Sequence, residues 1–170
     1  ILLRAYFPVD IHTNEATYEI QYGNVKRPTH YNTSWDEARF EVCAHKWLDV
    51  SEDGYGISVL NDCKYGCDVH NGRIGLTMLK SATYPNPDAD KEHHSFTWSL
   101  CPHSGRWQEN QTVAKAYLLN NPYRAVVKQN DGGSLTKTYS AVSVNVPNVV
   151  IEVVKKAEDG EGTIIRMYEL

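Results

Sequence analysis

The stretch Val69–Met78, which reads VHNGRIGLTM, decides the fold class of this chain. Asn71-Gly72 is a preferred dipeptide of the type I′ turn, because that turn needs a positive φ at both central residues. Beyond the turn, apolar side chains recur at every second position from Ile74 to Met78. Successive side chains on a strand point to opposite faces, so this alternation predicts a strand with one buried face. The stretch therefore predicts an antiparallel hairpin.

Strand signals recur along the rest of the chain. A period of two, or a run rich in β-branched and aromatic residues, predicts strands at Leu2–Phe7, Tyr18–Tyr22, Gly56–Leu60, Phe96–Leu100, Tyr139–Val146, Val149–Val154 and Thr163–Tyr168. Weak helical character is confined to Trp35–Arg39 and Val113–Leu119. Many short strands predict an all-β fold, an antiparallel β-sandwich, as a single domain over residues 1–170.

Turn residues separate several of these strands. Asp131-Gly132-Gly133 and Glu158–Gly162 predict two further reversals of the chain. The second of them is expected to join Val149–Lys155 to Thr163–Glu169 as a hairpin.

The length, the net charge and the lengths of the apolar runs argue against several classes of protein. The chain has 170 residues and a formal net charge of −4, and this length fits one domain with one core. The mild acidity argues against a nucleic-acid partner, since such proteins leave a basic footprint. No apolar run is as long as a membrane span, so we expect no membrane association. The chain begins at Ile1 rather than Met, and we expect a fragment or a processed product.

Cysteines and histidines offer the ligand types of a metal site without its usual spacing. A zinc site could be assembled only from scattered residues, which are Cys43, His45, Cys63, Cys67, Cys101 and His103. Structural zinc sites usually contain two close Cys or His pairs, and only Cys63 and Cys67 come near that spacing. Residues four apart on a strand are about 13 Å from each other unless Gly66 folds the backbone. We therefore favour small, partly buried apolar cysteines over zinc ligands.

Acidic residues give a weak signal for sugar chemistry. Paired carboxylates are the minimum for glycoside hydrolysis, and candidates cluster around the stretch Leu60–Val69: Asp49, Glu52, Asp53, Asp62 and Asp68. Most surface loops could offer such a set. No G-x-S-x-G nucleophile elbow accompanies the seven histidines, which we interpret as loop or hydrogen-bonded core residues.

Tryptophan positions divide into two groups. Trp98 is in phase with its apolar neighbours on a predicted strand, which favours a core position. Trp35, Trp47 and Trp107 lie in polar segments without alternation, so they are freer to stack on a sugar, although partial burial is the commoner outcome.

Five longer motifs resemble one enzyme family. They are NTSWDEARFEV (Asn32–Val42), HKWLDVSEDGYGISVLNDCKYG (His45–Gly66), TYPNPDAD (Thr83–Asp90), FTWSLCPHSG (Phe96–Gly105) and KKAEDGEGTIIRMYE (Lys155–Glu169). In this order they resemble the C-terminal β-region of glycoside hydrolase family 38 α-mannosidases, the cytosolic-type and bacterial branch in particular. The likeness runs nearly end to end, from Ala16 onward, and is far more specific than any single short pattern.

The resemblance implies a galactose mutarotase-like supersandwich that is a fragment of a larger, cytoplasmic enzyme. Family members are described as retaining α-mannosidases with an active-site zinc ion, which implies the hydrolysis of α-mannosides in mannose metabolism. The nucleophile, general acid and zinc ligands belong to an N-terminal catalytic barrel, and no segment here matches their motifs. We therefore expect no catalytic residue and no cofactor in this chain, and zinc in the catalytic domain.

The resemblance also implies partners and a role. The partners are the chain's own N-terminal catalytic barrel and a mannoside or oligosaccharide substrate. The chain ends at Leu170, before the family pattern usually ends, which favours open edge strands and association into a homo-oligomer. The expected role is to brace the barrel and to shape the rim of the substrate cleft.

Two alternative functions stay open. One is a stand-alone carbohydrate-binding module, which an exposed row of coplanar Trp or Tyr rings would favour. The other is an independent structural or interaction domain, which a large apolar face for docking the barrel would argue against.

The segment before the hairpin is the candidate substrate contact. In the family, loops of the β-domains approach the catalytic cleft, and here the best candidates are Asn61, Asp62, Lys64 and Tyr65. Lys64 would donate to sugar hydroxyls or pair with a carboxylate, and Tyr65 would stack on a sugar or cap the core. The alternative is a purely structural turn, in which Asp62 bonds to its own backbone and the glycine that follows permits the bend.

Overall fold

A computed structural model describes residues 1–127, 129, 132–134 and 136–170. The described chain divides into two compact units, Ile1–Pro122 and Tyr123–Leu170, and each is described by itself. Its elements are β1 (Leu2–Pro8), β2 (Glu15–Ile20), β3 (Gly23–Pro28), α1 (Ser34–Glu37), β4 (Val42–Cys43), β5 (Trp47–Glu52), β6 (Tyr55–Asn61), β7 (Gly66–Val69), β8 (Arg73–Lys80), β9 (Trp98–Ser104), α2 (Thr112–Asn120), β10 (Val149–Lys156) and β11 (Thr163–Glu169).

The first unit is a sandwich of two antiparallel sheets. One sheet has the strand order β1-β8-β7-β4 and the other the order β3-β2-β5-β6-β9. Alternate side chains from both sheets form one apolar core, among them Tyr18, Leu48, Val59, Ile74 and Leu76. Burial of apolar area between the sheets is the main force that stabilises such a fold. The prediction of an all-β antiparallel sandwich is confirmed.

The predicted hairpin joins β7 to β8. Asn71 has φ 52° and Gly72 has φ 66°, as a type I′ turn requires. The flanking His70 and Arg73 exchange backbone hydrogen bonds of 3.1 and 3.3 Å. Apolar side chains at alternate positions of β8 are buried in the core. The turn therefore sets the register that sends one face of β8 inward.

Helix α2 and the loop before it cover part of the outer face of the five-stranded sheet. Trp107 packs on Trp47 of β5, with ring centroids 4.8 Å apart. Thr112 and Ala116 are fully buried where α2 meets β5 and β6. This face therefore carries a second, smaller packed layer.

The second unit contains the hairpin β10–β11, as predicted. The strands pair from Val149 opposite Glu169 to Lys156 opposite Thr163, with a register shift between Ile151 and Val153. Its turn is closed by a hydrogen bond of 3.1 Å from Gly160 N to Ala157 O.

Three sequence-based expectations in the C-terminal part have different outcomes. The strand predicted at Tyr139–Val146 is wrong, because described residues 136–148 form no ladder with another strand. Alternation makes a segment compatible with a sheet, but only a partner strand satisfies its backbone groups. The predicted reversal at Asp131-Gly132-Gly133 includes Asp131, which lies outside the described residues. The single domain over residues 1–170 stays a prediction.

Candidate functional site

Asn61 ends β6 and fixes the turn that follows. Its side-chain Nδ2 donates to the carbonyl of His45 over 2.7 Å, and its Oδ1 accepts from the backbone N–H of Lys64 over 2.6 Å. The Asn120 amide of α2 donates to the Asn61 carbonyl over 3.1 Å. Asn61 is buried, so its amide is used inside the protein.

Asp62 connects the turn to the segment before β9. Its Oδ2 accepts from the backbone N–H of Thr97 over 3.0 Å, and its own N–H donates to the Thr97 carbonyl over 3.1 Å. Burial raises the pKa of Asp62, but the hydrogen bonds from Cys63 and Thr97 outweigh burial and leave this pKa below its usual value. The carboxylate is therefore bound both within its own turn, by Cys63, and to the neighbouring segment at Thr97.

Lys64 is half-buried and Tyr65 is exposed. Lys64 Nζ lies 5.3 Å from the ring centroid of Phe96, a cation–π distance. Tyr65 is 49% exposed and its ring lies 5.3 Å from the ring of His45. The turn thus brings the four predicted residues together, with Asn61 buried, Lys64 half-buried and Tyr65 exposed.

Cys43 and Cys67 lie on the paired strands β4 and β7, whereas Cys63 and Cys101 lie on other segments. Cys43 and Cys63 are exposed, Cys67 is buried in the core, and Cys101 is partly buried on β9. Burial raises the pKa of the Cys67 thiol well above its usual value. Burial, reinforced by the neighbouring Asp62 carboxylate, also raises the pKa of Cys63. A raised pKa disfavours the thiolate, which is the form of cysteine that binds a metal.

A buried polar network lies under α2. Asp49 Oδ2 accepts from His103 Nε2 over 2.8 Å and from Ser58 Oγ over 2.6 Å, and Asp49 Oδ1 accepts from Ser51 Oγ. Ser58 Oγ in turn lies 2.7 Å from Thr112 Oγ1. Because a carboxylate only accepts, His103 Nε2 carries the proton. The network joins β5, β6, β9 and α2.

Sequence reasoning missed this network. His103 was expected as a loop or core histidine, and the core position is the correct one. Its partner Asp49 is 54 residues away in the chain, so no local spacing indicates the pair. The available signal was the alternation in β5, where polar Asp49 and Ser51 follow Trp47 on one face.

One of the four tryptophans, Trp98, lies differently from its sequence-based expectation. Trp98, expected in the core, is 40% exposed because β9 is an edge strand of its sheet. Trp47 and Trp107, for which partial burial was the favoured expectation over stacking on a sugar, are buried against each other. Trp35 is exposed on α1. The two exposed indoles, Trp35 and Trp98, therefore stand on separate elements.

Comparison with known proteins assigns the family. The model described as the glycosyl hydrolases family 38 C-terminal domain matches residues 1–88. The chain belongs to this family. Family 38 membership confirms the resemblance read from the five motifs.

The relatives of this family 38 chain are long proteins. It is 44% identical over 170 residues to Alpha-mannosidase 2C1 of Homo sapiens, which covers 98% of the chain and 16% of that relative. It is also 44% identical to Alpha-mannosidase G of Dictyostelium discoideum, over 99% of the chain and 16% of the relative. The chain thus spans about one sixth of the length of these relatives.

Solved structures of the family share the fold. A crystal structure of an alpha-mannosidase from Enterococcus faecalis V583 matches with a TM-score of 0.84, covering 99% of this chain and 20% of that one. Sequence identity over the match is 19%, so this likeness supports the architecture alone.

Proposed function

We propose that the chain is the non-catalytic β-domain of a retaining α-mannosidase, in which it braces the catalytic barrel and shapes the rim of the substrate cleft. The observation that carries this proposal is 44% identity over 98% of the chain to a protein named Alpha-mannosidase 2C1. Near-complete coverage at this identity supports a shared role for the whole domain. The reaction proposed for the parent protein is hydrolysis of α-mannosides with retention.

Chemistry is proposed to reside in the barrel. In residues 1–127, 129, 132–134 and 136–170, no three His, Cys, Asp or Glu side chains gather as a metal site would require. The Asp49 carboxylate accepts three hydrogen bonds from protein donors, which leaves it poorly suited as a nucleophile. The described residues therefore do not fit the zinc ion that the family implies.

The turn at residues 61–65 is proposed as the rim of the cleft. Lys64 would donate hydrogen bonds from its ammonium group to sugar hydroxyls, and Tyr65 would stack on the apolar face of a sugar ring. Asn61 and Asp62 would maintain the turn through the contacts described above, so their contribution to substrate binding is through position. Support comes from the exposure of Tyr65, and from the half-buried Lys64, beside two anchored neighbours.

Location and assembly are also proposals. A cytoplasmic location is supported by four free thiols, which persist in a reducing compartment. None of the described helices is long and apolar enough to cross a membrane. The first unit ends its sheets in the edge strands β1, β4, β3 and β9, which are candidate surfaces for the barrel or for a second copy.

The proposal is tested by separating the domain from its parent. The pure 170-residue chain should not hydrolyse an aryl α-mannoside, with or without added zinc, whereas the complete parent protein should. Mixing the chain with a parent protein that lacks this region should restore turnover if bracing is its role. Zinc-dependent turnover by the pure chain would overturn this division of roles.

A further inference from the structure

The second unit lacks a buried core among the residues that the structure describes. Every described side chain between Tyr123 and Leu170 is exposed or half-buried. A two-stranded hairpin is at best marginally stable in water unless one of its faces packs on another layer. The hairpin β10–β11 therefore needs a cover, and its own side chains indicate which one.

The register of the hairpin places many of its apolar side chains on one face. Residues that pair across an antiparallel ladder share a face, and side chains along each strand alternate. The face defined in this way, called the apolar face below, carries Val149, Ile151, Val154, Ile165 and Met167. Val154, Ile165 and Met167 are 48%, 43% and 59% exposed. A contiguous exposed apolar face of this kind is typical of an interaction surface.

The opposite face of the hairpin is less suited to packing. It carries Lys155 and Arg166 in the central part of the ladder, where each pairs with an apolar residue. Lys155 forms an ion pair of 3.0 Å with Glu158 beyond the end of the strand. Charged groups in the middle of a face are costly to remove from water, so this face is expected to stay hydrated.

A charge of opposite sign marks each end of the apolar face. Lys156 lies at the turn end and Glu169 at the open end, and both share this face with the apolar residues between them. Both side chains are exposed. Asn148 Nδ2 donates to Glu169 Oε1 over 2.9 Å, which orients the carboxylate and leaves its charge in place. The face is therefore complementary to a copy of itself that is turned end to end.

Two copies of the apolar face could be related by a two-fold axis in two ways. An axis along the strands would gather both Lys156 side chains at one end and both Glu169 side chains at the other. An axis across the strands reverses one hairpin and brings Lys156 of each copy to within about one strand spacing, roughly 5 Å, of Glu169 of the other. Opposite charges attract, so the second arrangement is favoured.

We infer that the apolar face of β10–β11 is the docking surface for a second copy of this chain, packed face to face with its strands reversed. Removal of the apolar side chains from water drives the association, and the two Lys156–Glu169 pairs fix its direction. A face of two short strands is small for a specific interface, so we expect a weak dimer with a Kd on the order of 10–100 µM.

This inference goes beyond the proposed function. It assigns a sheet face of the second unit to self-association, and it involves neither the catalytic barrel nor a substrate. No activity measurement enters its test, so the inference and the proposed function fail independently.

The first test is sedimentation velocity of the 170-residue chain from about 1 to 500 µM, a range that brackets the expected Kd. A monomer–dimer equilibrium is expected. Met167→Lys places a charge in the middle of the apolar face and should weaken the dimer about tenfold or more. Ile164→Lys makes the same change on the opposite face of the same strand. It is the matched control and should leave the Kd unchanged.

The second test exchanges the charges at the two ends. Lys156→Glu and Glu169→Lys each place like charges together twice in the dimer, so each should weaken self-association about tenfold. An equimolar mixture of the two variants should restore it, because the mixed dimer has one Glu–Lys pair at each end. General hydrophobic association would show no such restoration.

Four outcomes would overturn the inference. They are a monomeric chain at every concentration, equal weakening by Met167→Lys and Ile164→Lys, no restoration in the mixture of charge variants, and preferential binding of the apolar face to a parent protein that lacks this region. The last outcome would assign the face to the rest of the parent. Thermal melts of each variant distinguish loss of association from loss of fold.

Discussion

His103 Nε2 lies 2.8 Å from Asp49 Oδ2, and both side chains are almost fully buried. This contact joins the edge strand β9 to the central strand β5 across β6. Ser58 and Thr112 extend it to α2. A buried carboxylate is costly unless its oxygens are satisfied, so the outer layer of the sheet depends on these donors remaining in place.

Asp49→Asn tests this dependence. The amide keeps the shape of the carboxylate but replaces an acceptor by a donor, so at least one of the three donors loses its partner. The free energy of unfolding should fall by about 2–3 kcal/mol, measured by urea denaturation. Asp88→Asn, on an exposed loop, should change it by less than about 0.5 kcal/mol. Equal stability of the two variants would contradict the role of the network.

Gly56→Ala tests the close approach of Ser51 and His103. The new Cβ would collide with both side chains, and displacement of His103 would break its bond to Asp49. We expect a loss of about 1–3 kcal/mol in the free energy of unfolding. Gly23→Ala is the matched control, because a Cβ there meets nothing within 4 Å. If Gly56→Ala left the free energy of unfolding unchanged, the strands would be able to shift without loss of stability.

The lowered pKa of Asp62 predicts a dependence of stability on pH. A carboxyl whose pKa is lower in the folded state contributes stability above its unfolded pKa, near 4, and this contribution is lost as pH falls through the folded value. Asp62→Asn should therefore reduce the decrease in the free energy of unfolding that occurs as the pH falls below about 4. Cys63→Ala removes one donor and should move the loss to higher pH. If the unsubstituted protein and both variants lost the same free energy of unfolding as the pH falls, the role given to Asp62 would be wrong.

Lys64→Ala tests the proposed cleft rim in the complete parent enzyme. Loss of a charged donor should lower kcat/KM for an α-mannoside about tenfold, while the melting temperature stays unchanged. Lys91→Ala removes an exposed lysine from a loop and should leave both quantities unaltered. If the variant had the same kinetics as the unsubstituted enzyme, Lys64 would have no role in the substrate cleft.

Local chemistry made several parts of the fold predictable. Asn71 and Gly72 tolerate positive φ, so their turn follows from the backbone preference of these two residues and not from distant contacts. The hairpin from Val149 to Glu169 was predictable for the same reason, because glycine-rich turn residues lie between two β-branched runs. The prediction of a strand at Tyr139–Val146 was wrong because alternation carries no information about a partner strand.

The candidate site was predictable only in part. The motif around Asn61 indicated a turn near a cleft, but the direction of each side chain depends on distant contacts with His45 and Thr97. Such contacts form only when non-adjacent strands meet. The sequence could therefore name Lys64 and Tyr65 as candidates. It could not show that Asn61 and Asp62, named with them, are held by contacts inside the protein.

The sequence by itself determined the strand periodicity, the Asn71-Gly72 turn and the family. These depend on local backbone preference and on long motifs in a set order. Only the tertiary structure decided that Trp47 is buried while Trp98 is exposed, and that Asp49 meets His103. Those outcomes depend on strand order and on which sheet face a helix covers, and both are set by burial and pairing between residues far apart in the chain.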